Sequence, residues 1–217
     1  MKRKLLHYHM ILLPCLLGIL FLAAPAYADA TITVTTTADG VVDDGDCGLR
    51  EAVLSANTDA SVGGCTAGNG ADLIVFDAAL ARPALFALTE HGASEDGALT
   101  GDLDVASVLT IRGDGSDAIV IDGDGADRIF HVLAGGNLTL EGVTVRNGNP
   151  GAAAHGGGAL VELTARLTMS ATHVVDNSSL SGGGVKSLGR LTMTDSRVAT
   201  NQGGGLANDA GLMTLTR

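Results

Sequence analysis

The residues best equipped for chemistry in this 217-residue chain are its aspartates. Asp122-Gly-Asp124-Gly-Ala-Asp127 sets three carboxylates within six residues, a density that could hold a divalent cation. The order fails the EF-hand loop, which needs Gly at its sixth position and Glu at its twelfth. It also lacks the tandem nonapeptide glycines of calcium-binding β-rolls. Solvated turn carboxylates, bonded to their own backbone, are therefore the favoured reading. A weak Ca²⁺ site at Asp122, Asp124 and Asp127 is the lesser one, and otherwise no metal or cofactor is expected. A second chemistry is polysaccharide cleavage, either by a lyase that pairs Ca²⁺-holding acids with a basic residue or by a hydrolase with two nearby carboxylates. Asp176 and Asp195, near Arg146 and Arg197, are the candidates. Counted from the leucine that opens each copy of the repeat below, Asp176 is nine residues on and Asp195 four, which places them on different walls. His91, His131, His155 and His173 are scattered, with no HxH or HExxH spacing. His131, inside an apolar run, is expected to pack or to face a wall. There is no Gly-x-Ser-x-Gly elbow, and no glycine cluster leads into Gly-Lys-Ser/Thr. No catalytic residue is assigned.

The elements that would carry these residues repeat. Leu138-Thr-Leu140, Leu167-Thr-Met169 and Leu191-Thr-Met193 each open a stretch that closes on Asn147, Asn177 or Asn201, nine or ten residues after its first leucine. Glycine clusters, Gly156–Gly158, Gly182–Gly184 and Gly203–Gly205, lie between copies, and Leu212–Thr216 starts another. Leu138 to Leu167 is 29 residues and Leu167 to Leu191 is 24, and self-similarity at such a period marks a solenoid. The runs alternate apolar and polar, the period of half-buried strands. Interior glycines would cost a repeated helix about 1 kcal/mol each, whereas corners use their freedom at positive φ. The expected fold is all-β, a parallel β-solenoid with inward Leu, Val, Ile and Met stacked in one core. Asn147, Asn177 and Asn201 are read as a structural ladder of stacked amides, in preference to a carbohydrate or metal ladder. Weaker copies extend upstream: Asp72–Phe76, Leu85–Leu88, Val108–Ile111, Ala118–Ile121 and Ile129–Leu133.

The segment ahead of the repeats differs. Leu49, Ala52, Val53 and Ala56 fall on one helical face, which predicts a short helix over 49–57, with Asp46 as N-cap, Glu51 in the first turn and Asn57 at its end. Ala30–Thr37 alternates as a strand. Cys47 and Cys65 bracket the helix. In an oxidising compartment such a pair reads as one disulfide closing a loop of about 17 residues, worth on the order of 3 kcal/mol. A zinc site is the rival reading and lacks His at ligand spacing.

Cys47-Gly-Leu-Arg-Glu-Ala-Val-Leu-Ser-Ala-Asn57 resembles the CSLREA motif, with Gly48 where that motif carries Ser. Thr33–Asp39 and Gly70–Phe76 resemble the flanks of the same family, so the likeness covers roughly Thr31–Phe76. Leu109–Asn201 is similar to the right-handed parallel β-helix repeats that commonly follow the motif, including those of polymorphic outer-membrane-protein-like proteins. The resemblance implies an exported bacterial surface or secreted protein. It brings no catalytic residues. Leu49, Arg50, Glu51, Ala52 and Asn57 are the motif positions expected to build an N-terminal cap.

Composition narrows the function classes. The net charge is −11 and aromatic residues make up 3% of the chain, which excludes a basic nucleic-acid binder and a base-stacking platform. Lys2, Arg3 and Lys4, the apolar run Ile11–Ala24 and Ala26-Tyr-Ala28 read as a secretory signal peptide over 1–28, with Cys15 leaving with it. Its removal takes three basic residues and no acid, so the formal charge falls to −14. No second apolar run would span a bilayer. The expected organisation is a signal peptide (1–28), a disulfide-pinned cap (29–71) and a right-handed parallel β-helix (72–217), truncated at its C-terminus. The expected role is a non-enzymatic surface or secreted protein that meets a cell-surface or glycan ligand through its long polar walls. A polysaccharide-active enzyme or carbohydrate-binding module is the alternative. End-to-end self-association through the exposed last coil is a further expectation.

Overall fold

The computed structural model describes residues 29–92 and 95–217. The expected signal peptide, 1–28, with Cys15, lies outside the described residues.

Among the described residues, seventeen strands and one helix, numbered in chain order, wind as a parallel β-helix. Sheet A contains β1 (Thr31–Val34), β2 (Ala71–Phe76), β5 (Val108–Arg112), β8 (Asn137–Glu141), β11 (Arg166–Ser170), β14 (Arg190–Thr194) and β17 (Leu212–Thr216). Sheet B contains β3 (Ala84–Ala87), β6 (Ile119–Asp122), β9 (Thr144–Arg146), β12 (His173–Val175) and β15 (Arg197–Ala199). Sheet C contains β4 (Leu103–Val105), β7 (Phe130–Val132), β10 (Ala159–Val161), β13 (Val185–Ser187) and β16 (Leu206–Asn208). From β2 onward the chain visits A, B and C in turn, and each strand pairs in parallel with its counterpart one coil away.

The period-two pattern decides which side chains enter the tube. On sheet A, Leu109, Leu138, Leu167, Leu191 and Met213 share one register position, and Ile111, Leu140, Met169, Met193 and Leu215 share the next inward one. The first four members of each column are buried. Full burial of an apolar side chain is worth about 1.5–3 kcal/mol, and the columns supply it in four successive coils. On sheet C, bulky Phe130 lies in register with small Ala159, so the two side chains share the space between successive rungs.

Coil length is not constant. Ala71 and its partner Val108 are 37 residues apart, Val108 and Asn137 are 29, and Arg190 and Leu212 are 22. The excess in the first coil lies between β3 and β4, in the loop 88–102. Corners between sheets use positive φ. Gly142, Ala171 and Asp195 turn the chain from A to B at φ 60°, 48° and 49°. Asn147, Asp176 and Thr200 turn it out of B at 59°, 56° and 57°. Gly157 is needed for a different reason, since a Cβ there would lie 2.6 Å from the carbonyl oxygens of Gly183 and Ser178.

Helix α1 (Leu49–Thr58) packs against β1, β2 and β4 and closes one end of the tube. Its N-cap is Gly48, not Asp46. A glycine has no side chain to offer, so Glu51 reaches back and accepts the Gly48 N–H at 2.9 Å and the Val42 N–H at 2.8 Å. The helix also ends later than expected, on Asp59 at φ 50°, and Asn57 stays inside it. Cys47 and Cys65 form a disulfide, with Cα atoms 4.7 Å apart. Among the described residues no helix is long and apolar enough to cross a membrane.

Candidate functional site

The outward face of sheet A is the longest continuous surface of the tube. Its central position is threonine in five successive rungs: Thr110, Thr139, Thr168, Thr192 and Thr214 are register partners. Four are half-buried and Thr214 is exposed. Strands in a sheet are about 4.8 Å apart, so the column presents hydroxyls and methyls at that interval. A second outward column runs Arg112, Glu141, Ser170, Thr194 and Thr216, and Arg112 pairs with Glu141.

An open groove of about 480 Å³ lies where the chain leaves sheet B. Leu85, Asp122, Asp124, Asn147, Asn149 and Asp176 are among the residues that line it. Asp122 is held from one side: Arg146 Nε donates to Oδ2 at 2.8 Å, and Asn147 Nδ2 donates to the same carboxylate at 2.9 and 3.1 Å. Asp124 Oδ2 lies 3.3 Å from His91 Nε2, and Asp127 Oδ1 accepts the Arg128 N–H at 2.7 Å. These three aspartates do not form a three-ligand cluster among the described residues. Asp176 lines the groove at the corner after β12, whereas Asp195 turns the corner after β14, so the two carboxylates stand on different walls.

The asparagine ladder has two rungs, not three. Asn177 Nδ2 donates to Asn201 Oδ1 at 3.0 Å and to the carbonyls of Val145 and Val175, while its Oδ1 accepts the Gly148 N–H at 2.8 Å. Asn201 Nδ2 donates to the Val174 carbonyl. Asn147 stands one residue earlier in its coil. Arg146 pairs with Val175, so Asn147 is level with Asp176 at the positive-φ corner, and Gly148 takes the ladder position. The difference between nine and ten residues after the first leucine is this shift.

The cap residues bind the helix to the loop 88–102. Arg50 is fully buried. Its Nε and one terminal nitrogen grip Asp39 at 2.9 and 3.1 Å, and its remaining N–H groups reach the carbonyls of Ala98, Gly101 and Asp102. A buried guanidinium is tolerable when paired and fully bonded in this way. Asn57 Nδ2 donates to the Asp104 carbonyl at 2.7 Å, and its Oδ1 accepts from the Ala106 N–H and the Ser107 hydroxyl. Leu49 and Ala52 are buried in the core.

Sequence spacing missed a cluster on sheet C. Asp104 of β4 and His131 of β7 are register partners at outward positions. His131 Nδ1 lies 3.1 Å from Asp104 Oδ1 and 3.6 Å from Asp96 Oδ1, and its Nε2 lies 3.3 Å from Glu162 Oε1. Desolvation lowers the imidazole pKa, but the hydrogen bonds to Asp104 and Glu162 outweigh it, and the net shift is upward. Nearby Asp102 is pushed up to about 7, by burial first and by Asp104 second, against the pull of Arg128. Arg128 Nε stands 2.6 Å from Asp102 Oδ2 but out of line for a hydrogen bond. The signal was present in the sequence: aligning Leu103-Asp-Val105 on Phe130-His-Val132 as successive rungs puts the carboxylate beside the imidazole.

Comparison of the chain with models of protein families, with curated proteins and with solved structures gives no match.

Proposed function

We propose that this chain is an exported surface or secreted protein, non-enzymatic, whose outward sheet A wall adheres to a repetitive polymer of a cell surface or envelope. The observation that carries this reading is the threonine column, five rungs in unbroken register on an accessible face. A periodic row of small hydroxyl-and-methyl side chains suits many weak contacts to a periodic partner, and avidity from such contacts exceeds any single one. The leader-like first 28 residues and the resemblance of residues 47–57 to the CSLREA motif support export.

The test is retention of the purified protein on isolated envelopes and on immobilised polysaccharides. Replacing Thr139, Thr168 and Thr192 together by Ala is expected to weaken retention at least tenfold with the circular dichroism unchanged. Full retention by that variant overturns the wall as the binding face.

A second reading, a carbohydrate-binding or carbohydrate-cleaving module, is favoured by the groove at the exit of sheet B. There Asn147, Asn149, Asp124 and Asp176 offer polar atoms beside the apolar flank of Leu85. Incubation with uronate and neutral glycans, with and without Ca²⁺, separates the two. Unsaturated products or new reducing ends identify an enzyme and defeat the non-enzymatic reading.

A further inference from the structure

The geometry points to a divalent transition-metal site, of the Zn²⁺ class, formed by Asp96, Asp104 and His131, with Glu162 orienting the imidazole from outside the coordination shell. One donor atom from each of the three ligands lies within 4.8 Å of the others. Ligands about 2.0–2.2 Å from a common ion stand roughly 2.8–3.6 Å apart at angles between octahedral and tetrahedral. The 3.1 Å and 3.6 Å separations of Nδ1 from the two carboxylates match that range.

The surroundings match a metal centre as well. Glu162 faces the far ring nitrogen, so the Nε2 proton keeps an acceptor when an ion takes the place of the proton that Nδ1 shares with Asp104. Metal-bound histidines are characteristically held by such a carboxylate. Asp104 has no exposed surface, and its other oxygen accepts the Ala98 N–H at 2.9 Å, which fixes the carboxylate toward His131. Asp96 enters from the loop 88–102 with its side chain 74% exposed, so the remaining coordination positions open to water. Asp96, Asp104 and Glu162 face His131 and Asp102 faces Arg128, so carboxylates outnumber the cations and a dication offsets part of the excess. An imidazole nitrogen in the set favours Zn²⁺, Ni²⁺ or Co²⁺ over Ca²⁺ and Mg²⁺. Binding replaces a proton on Nδ1 and joins the loop to the β4–β7 ladder, so the ion staples the loop that Arg50 holds from beneath.

The experiment is calorimetric titration of the EDTA-treated full chain with ZnCl₂, with CaCl₂ as comparator and Co²⁺ absorption as the spectroscopic readout. One Zn²⁺ per chain is expected, with proton release that grows as the pH is lowered and a higher melting temperature. Asp96→Asn, on the surface and without consequence for folding, and His131→Gln are each expected to weaken Zn²⁺ binding at least tenfold and to abolish the Co²⁺ band. Absence of saturable binding overturns the site. So does tighter binding of Ca²⁺ than of Zn²⁺, or an affinity unchanged in Asp96→Asn.

Discussion

Asp72 occupies a position that aliphatic side chains fill in every later coil. It pairs with Leu109 and so begins the inward column that continues through Leu138, Leu167 and Leu191. Its Oδ1 accepts the Asn69 N–H at 2.8 Å, but its Oδ2 is buried without a hydrogen bond. Desolvation is the largest influence on this carboxyl and raises its pKa, against the lowering effect of the backbone bonds. A carboxyl whose pKa is higher folded than unfolded favours the native state when protonated. Its contribution is therefore greatest below the unfolded value, about 4, and is lost as pH rises through the folded one. Asp72→Asn should raise the urea midpoint at pH 7 and leave it nearly unchanged below about pH 4. A lower midpoint at pH 7 would show that the charge has a partner worth keeping. At this scale the sequence was only partly legible. Alternation marked Leu138 and Leu167 as inward, but nothing local distinguished Asp72 in its column from the turn aspartates. Arg50 was visible as a motif residue, yet the carbonyls it binds lie about fifty positions on, beyond any spacing rule.

Among the elements, the strands of sheets A and B that alternate cleanly were legible, as was three-residue β7 within Ile129–Leu133, and β4 was not. Three-residue β4, Leu103–Val105, has too few positions to show a period and is recognised only as a rung against β7. Residues 98–102 have no pattern of their own, because their conformation is set from outside by Arg50 and Asp104. Helix α1 was legible from its apolar face, but its ends were not, since a glycine N-cap gives no side-chain signal and Glu51 supplies the capping oxygen. The disulfide pins this helix across 18 positions of sequence. Releasing a loop of that size from its cross-link costs about 3 kcal/mol in the loop-entropy account. Reduction with dithiothreitol, or a Cys47→Ala/Cys65→Ala variant, should lower unfolding stability by about that amount while the strand signal in circular dichroism persists. Loss of all strand signal on reduction would mean that the cap is required for any coil to form.

The two ends of the described tube differ, and in a polypeptide that spans only these residues the difference sets how it opens. At one end α1, the disulfide and the Arg50 network cover the first coil, and Ile32, Val53 and Ile74 are completely buried. At the other, β15, β16 and β17 are the last members of their sheets, Val198, Leu206 and Met213 are only partly buried, and Leu212 and Leu215 are more than half exposed. In a solenoid each coil is stabilised by its neighbours, so stability is close to a sum of coil and interface contributions. A coil with one neighbour then opens at lower free energy than a coil with two, and opening proceeds inward from the uncovered side. Amide hydrogen exchange on a polypeptide of this sequence should therefore show protection that increases from β17 through β14 to β8. Leu167→Ala, in the middle of the inward column, should cost about 2–5 kcal/mol, and Met213→Ala, at its last rung, about 1 kcal/mol or less. In such a polypeptide the same edge strands expose unpaired backbone groups, a template for pairing with another chain. Raising the protein concentration should protect β17 before any other strand if copies meet end to end, whereas protection that is uniform along the column at every concentration would show that the tube opens as one unit and that its ends do not differ in stability.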